Sequence, residues 1–276
     1  MKQFPLFMFL LGCSVIAQVK QEQDFCKEAF AKGKQELVGQ VYTQFTVQRC
    51  CKSALGECLE KKPDCRLGQS MGDFVCWLAS YDQSFDKIME ECRKRYDSYV
   101  ATATFEIKAG LFESIGNENA PVSVYIYISG SCPLCKAVCS DLHREVARGM
   151  LKNKVRVVPK LMTTGIADYA LLAANAQGSF WPFILEMNLM KQRPTEELMI
   201  QLAGKVMLDV TQFKNDLKNK KLHDRAAASR AEALGNDVAV TPTLFLNKKR
   251  YRSYKNWYWI LDAINYEYQH ASSGKK

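Results

Sequence analysis

Histidine is scarce. The 276 residues hold three, His143, His223 and His270, far apart in the chain. The sequence has one Cys-x-x-Cys pair, so the second pair of ligands for a tetrahedral zinc site is missing, and no metal site is expected. It has no glycine-rich phosphate loop, no paired-carboxylate site and no Ser/His/Asp arrangement, which argues against nucleotide, glycosidase and serine-hydrolase chemistry. Fifteen glycines and eight prolines are too few for a collagen-like or low-complexity chain. No internal repeat is visible, and no segment after the N-terminus holds 18 uninterrupted apolar residues, the length a membrane span needs. What is present is an ordinary globular composition, 47% hydrophobic and 24% charged, with eleven cysteines and a net charge of +9. Seven cysteines fall between Cys26 and Cys92. Residues 18–104 carry 13 basic and 13 acidic groups, whereas residues 105–276 carry 24 and 16. Two parts of different composition are implied.

The apolar run Phe4–Ile16 follows a single lysine, Lys2, and spans 13 residues, about 20 Å as a helix. That is too short for a bilayer, and with Ala17 behind it residues 1–17 read as a cleaved secretory signal. Leu10-Leu11-Gly12-Cys13 resembles a lipoprotein box, so lipidation of Cys13 is the alternative. Either route places the protein in a periplasmic or secreted, oxidising compartment and leaves ten cysteines, an even number suited to disulfides.

Residues 18–104 show apolar spacings of three, four and seven (Phe25, Ala29, Phe30, Leu37; Phe74, Val75, Leu78; Ile88, Met89, Tyr96). These predict two to four short helices, interrupted at Pro63, with no strand. Cys50, Cys51, Cys58 and Cys65 lack the two-residue spacing of metal ligands, so stapled helical hairpins are expected. A linker with Gly110, Gly116, Asn117 and Asn119 fills 105–119. From residue 120 the texture changes. Val122–Ile128 is a β-branched and aromatic strand, a helix runs from about Cys132 to Met150, and Val155–Leu161 is a second β-branched strand, alternating with Arg156 and Lys160. Residues of about 164–234 read as a long helical insertion, in which Asp209 and Gln212 form a capping box for a helix to Leu217 and Gly235 ends the last helix. A strand through Leu246, an Asn247 turn, a short strand and a helix over 256–269 complete the chain.

The chemistry is expected at Cys132-Pro133-Leu134-Cys135, where strand gives way to helix. With Cys132 as the cap, Pro133 occupies the first helical position, where a missing N–H costs nothing. The Cys135 amide then points back at the Cys132 sulfur, and the positive end of the helix dipole favours a thiolate there. An exposed, acidic Cys132 and a buried, resolving Cys135 are the expectation. A static disulfide closing four residues would stabilise little. Cys139, one turn further, is either a buried apolar filler or a third thiol able to capture Cys135.

Downstream, Thr241-Pro242-Thr243 immediately precedes a strand, a position that accepts proline. Ala120-Pro121, the Cys-Pro-x-Cys motif opening a helix, and Val240-Thr-Pro-Thr-Leu-Phe-Leu-Asn247 together resemble the DsbA-like branch of the thioredoxin fold over roughly residues 118–268. The resemblance implies an α/β domain over 120–276, a cis bond before Pro242, and Thr241 as a backbone contact for substrate. It also implies exchange of disulfides with client proteins, with a further redox partner to recycle the site and no cofactor beyond the redox-active cysteine pair. Ser131 departs from the family, where many members carry an aromatic residue before the motif. Phe74–Val100 is similar to the tail of the periplasmic thiol protein of cytochrome-c maturation, which suggests a small disulfide-stapled all-α domain in front. The competing class is a non-catalytic thioredoxin-fold binding module or lipoprotein with structural disulfides.

Lys248–Trp259 interleaves cations with aromatics, the look of a single-strand nucleic-acid groove. In an exported chain this reads instead as a solvated face whose aromatics join a core, and no nucleic-acid partner is expected. The basic excess adds a general attraction for acidic clients or an anionic surface. Membrane contact is expected only through a lipid on Cys13.

Overall fold

The structure is a computed structural model that describes residues 24–108 and 110–273. The signal segment and Cys13 lie outside the described residues. The chain divides at Ile88/Met89 into two compact units, each described by itself below.

In the first unit Asp24 caps α1 (Phe25–Ala31) by accepting the Lys27 amide, and α2 (Gln35–Gln44) follows. β1 (Thr46–Val47) and β2 (Ser53–Ala54) then pair antiparallel. The expectation of helices alone is corrected here: strands of two residues are too short to display an alternation. α3 (Leu55–Lys61) and α4 (Arg66–Ser80) are separated around Pro63, as its lost N–H requires. Phe25, Val41, Leu55, Met71, Phe74 and Leu78 are buried as the core. Cys26–Cys76 joins α1 to α4, while Cys50–Cys65 and Cys51–Cys58 tie the β1–β2 turn to the two helices that follow. Cys51 lies in the β1–β2 turn, Cys58 on α3 and Cys65 at the cap of α4. α5 (Phe85–Val100) follows, making five helices over 24–104 where at most four were expected.

From Met89 onward α5 belongs to the second unit. Its Arg95 is fully buried, ion-paired to Asp262, bonded to Tyr99 and Ser253, and stacked over Trp259 at 4.5 Å. The composition change near residue 104 is thus not where the compact units part. Residues 105–119, read as a linker, are packed as well: Ile107, Leu111 and Phe112 are buried, and β3 (Ile115–Gly116) pairs antiparallel with a later strand. Gly116 has φ +98°, and a Cβ there would meet the Val155 carbonyl oxygen at 2.2 Å, so the close approach of β3 needs glycine.

β4 (Val122–Ile128), α6 (Pro133–Arg148) and β5 (Val155–Leu161) form a parallel strand–helix–strand unit with Val124 opposite Val157. Five helices follow: α7 (Ile166–Ala176), α8 (Phe180–Leu189), α9 (Glu196–Lys205), α10 (Val210–Leu217) and α11 (Lys220–Gly235). β6 (Thr243–Leu246) pairs antiparallel with β4, β7 (Lys249–Arg250) with β6, and α12 (Trp257–Ser273) closes the chain. The strand order is β3-β5-β4-β6-β7.

Asp209 caps α10 as expected, accepting the Thr211 and Gln212 amides. The reciprocal half of the box is absent: the Asp209 amide donates to Gln177, and the Gln212 side chain donates to Asp216. Of the two cations along β5, Lys160 is drawn inward. That lysine is buried, ion-paired to Glu232 at 2.9 Å and bonded to the Lys108 carbonyl, while Tyr127 donates to the same carboxylate. A sheet covered on both faces must pair its inward charges. In the basic-aromatic stretch Tyr251 and Trp259 are buried, so these rings do join a core.

Candidate active site

β4 ends at Ile128, and the chain turns through Ser129–Ser131 into α6. The Cys132 amide donates to the Ser129 carbonyl at 3.0 Å, and Pro133 occupies the first helical position. The Cys135 amide donates to the Cys132 sulfur at 3.3 Å, so the helix is capped by a thiol. Cys132 is half-buried, Cys135 fully buried, and Leu134 is 46% exposed beside them. Burial pushes the Cys135 thiol well above its ordinary range, and the neighbouring Cys132 adds to the shift. Cys139 is also buried, with its thiol pushed up to about 12 chiefly by desolvation. Such a thiol is protonated at neutral pH, and the geometry favours the apolar filler over the third attacking group.

Across from the helix end, Thr241 and Pro242 stand just before β6, and the bond between them is cis. The ladder with β4 begins at Thr243, opposite Tyr127, which leaves the Thr241 backbone outside it. The Cys132 thiol donates to the Thr241 carbonyl at 3.7 Å. The fold therefore brings Cys132, Cys135, Thr241 and Pro242 to one place, although 109 residues separate the first from the third.

Two residues here were not anticipated. Asp168, on α7, is 2% exposed and accepts the Gly130 amide and the Thr163 hydroxyl, both at 2.8 Å. Desolvation raises its pKa against the lowering effect of these bonds and of the Gly165 amide. It braces the turn that leads to Cys132. Gly130 itself lies so close to α7 that a Cβ would come within 2.8 Å of the Ala167 backbone. Nothing in the sequence near residue 168 signals this role. Lys136, the residue after Cys135, is buried; desolvation lowers its pKa, while the nearby Cys132 and Cys135 sulfurs raise it. It is a cation held beside the two thiols. A lysine immediately after the motif was the available clue.

In the first unit the sulfurs of Cys50, Cys51, Cys58 and Cys65 all lie within 4.8 Å of one another, the donor set a soft tetrahedral cation would use. Here all four are engaged as two disulfides. Cys92, Cys132, Cys135 and Cys139 are unpaired, so one of the seven cysteines from Cys26 to Cys92 and all three from Cys132 to Cys139 are free thiols, and no bridge joins the two groups among the described residues.

A family model described as thioredoxin matches residues 111–265, more than half of the chain. The chain belongs to the thioredoxin family. Within the thioredoxin family its solved neighbours include BdbD from Bacillus subtilis, with a TM-score of 0.51, 20% identity, and coverage of 61% of this chain and all of that one. Another is alpha-DsbA1 from Wolbachia pipientis, at 0.53 and 15%, covering 62% and 97%. These likenesses show a thioredoxin fold with the DsbA-like helical insertion, here α7–α11. Among curated thioredoxin-like relatives, probable disulfide bond formation protein D of Bacillus anthracis is 26% identical over 150 residues, 49% of this chain and 69% of that protein. The Na(+)/H(+) antiporter NhaA of Herminiimonas arsenicoxydans is 30% identical over 141 residues, and the matched chain spans only 22% of its length. The disulfide-linked first unit precedes the thioredoxin match. No helix among the described residues is long and apolar enough to cross a membrane.

Proposed function

We propose that the protein is an exported thiol–disulfide oxidoreductase acting on client proteins. The observation that carries this reading is the placement of the half-exposed Cys132 sulfur between the Cys135 amide and the Thr241 carbonyl, with a buried thiol one turn away. Cys132 as thiolate attacks one sulfur of a client disulfide, forming a mixed disulfide and releasing the other client sulfur as thiolate. Cys135 gives up its proton and attacks the Cys132 sulfur. The Cys132–Cys135 disulfide closes, and the client leaves reduced by two electrons. The same steps in reverse oxidise a client dithiol. The pair needs no cofactor, and a partner thiol or disulfide must reset it after each turnover. Thr241 and Pro242 form the strip against which the client chain lies, Pro133 starts the helix, and Leu134 offers an apolar contact. Three disulfides in the first unit support an oxidising compartment outside the cytosol.

A glutathione redox titration of the mature protein, quenched with acid and read by mass spectrometry, tests the assignment. The pair is expected to titrate reversibly between about −270 and about −120 mV, the range of exchange catalysts. A Cys132–Cys135 disulfide that resists reduction below about −300 mV would instead make the protein a binding module. Cys132→Ser should abolish turnover, and Cys135→Ser should accumulate mixed disulfides on Cys132.

A further inference from the structure

A cavity of about 640 Å³ opens in the second unit beside the Thr241–Pro242 strip, and Val240 and Thr243, the residues that bracket the strip, line it. Its other walls carry Arg250, Arg252 and Lys255 from the β7 segment, together with Glu91 and Lys94 from α5. The last two are spoken for, since Lys94 pairs with Glu91 at 3.0 Å and also with Glu90. The other three cations make no ion pair among the described residues, although the Asp237 carboxylate acts on Arg250, which also donates to the Asp237 carbonyl, and the Glu91 carboxylate acts on Lys255. Arg252 is exposed and Arg250 and Lys255 are half-buried, so three cations without a direct ion pair line one open cavity, where a carboxylate could accept charge-assisted hydrogen bonds from them.

We propose that this cavity binds acidic side chains of the client, so that the enzyme selects polypeptides carrying Asp or Glu a few residues from the reacting cysteine. The inference rests on the oxidoreductase reading for its client and deepens it. A client chain laid along Thr241–Pro242 meets the cavity lining at the adjoining Val240 and Thr243, and at roughly 3.5 Å per residue an acidic residue two to four positions from the reacting cysteine is carried roughly 7–14 Å from it. Val240 is 59% exposed at that mouth and gives the intervening client residue an apolar seat. Desolvation and mutual repulsion support the arrangement. Burial, then the charge of Arg252, lowers the pKa of Arg250 against the opposing effect of Asp237; burial, then the charge of Arg250, lowers that of Lys255 against the opposing effect of Glu91. A bound carboxylate would relieve both.

The test uses the full mature chain and two synthetic peptides alike except for Glu or Lys at the second and third positions from the central residue. With serine as the central residue the peptides cannot react, and fluorescence anisotropy reports docking alone. The Glu peptide is expected to bind roughly ten-fold or more tightly than the Lys peptide at low salt, with the gap shrinking as salt is raised. Arg252→Gln combined with Lys255→Gln should remove most of that preference, and Arg252→Gln alone should remove part of it; circular dichroism verifies folding. With cysteine as the central residue, presented as a mixed disulfide, exchange rates should follow the same order. Hydroxyethyl disulfide, small and neutral, reports the thiol pair itself and should react equally with wild type and variants. Equal binding of the two serine peptides, or a preference that survives both variants, overturns the acidic-client proposal. Failure of exchange with hydroxyethyl disulfide overturns the oxidoreductase reading and leaves the binding result to stand or fall separately.

Discussion

Asp168 is a carboxyl held away from water by the fold, and its protonation is coupled to folding. The folded protein binds this proton more tightly than the unfolded chain, whose carboxyl titrates near the ordinary 3.8. Its contribution to stability is therefore complete below that value and is lost as pH rises through the raised folded pKa. Asp168→Asn carries no such proton, so its stability relative to wild type should improve between pH 4 and pH 7.5. Urea midpoints at the two pH values check this, and parallel behaviour would show that the carboxyl is not desolvated. At this scale the site was half legible. Cys132 and Cys135 could be read because a cap, a proline and an amide three residues on form a local device. Lys136 and Asp168 act through tertiary burial, and Asp168 reaches Gly130 from a helix in the insertion. Periodicity carries no trace of such a bond.

Among the elements, α5 and α12 are joined through Arg95, whose guanidinium has Asp262, Tyr99, Ser253 and the Trp259 face around it. Removing one member of a buried charge pair strands the other and costs about 3–5 kcal/mol. Arg95→Ala should lower the stability of the second unit by that order, measured by chemical denaturation followed at Trp259. A loss below about 1 kcal/mol would mean the pair is effectively solvated. β4 and β5 were found in the sequence at their full extents because seven-residue β-branched runs in a covered sheet leave a strong signal. β1, β2 and β3, at two residues each, leave none. β3 exists because Gly116 lets the chain approach Val155, and that is a property of the assembled sheet.

Among the described residues, all the disulfides lie in the first unit and the Cys132 and Cys135 thiols lie in the second. The Cys26–Cys76 bridge closes a separation of 50 residues, worth about 4 kcal/mol of loop entropy in the chain-entropy model. The bridges at separations of 15 and 7 are worth about 3 and about 2.5. Such losses are large against the ~5–15 kcal/mol that holds a typical domain folded. Dithiothreitol should therefore expose residues 24–88 to protease while residues 89–273 stay protected. Limited proteolysis mapped by mass spectrometry reads the difference, and equal sensitivity of the two units would contradict it. The division into a cysteine-rich helical part and a basic α/β part was visible in composition. The unit boundary at Ile88/Met89 was not, since Arg95 and Cys92 resemble their helical neighbours in sequence and differ only in what surrounds them.

The antiparallel pairing of β6 with β4 has a consequence in time. Tyr127 meets Thr243 across 116 residues, and contacts of such long sequence separation are slow to close. The cap on the Cys132 sulfur spans three residues and the Asp168 bond to Gly130 spans 38, so both close over much shorter loops than the strip does. At about 5–20 residues per second the ribosome delivers Thr241 roughly 5–20 s after Cys132. During that interval the chain carries the two cysteines with no strip beside them, and a chain ending before residue 240 would lack the strip permanently.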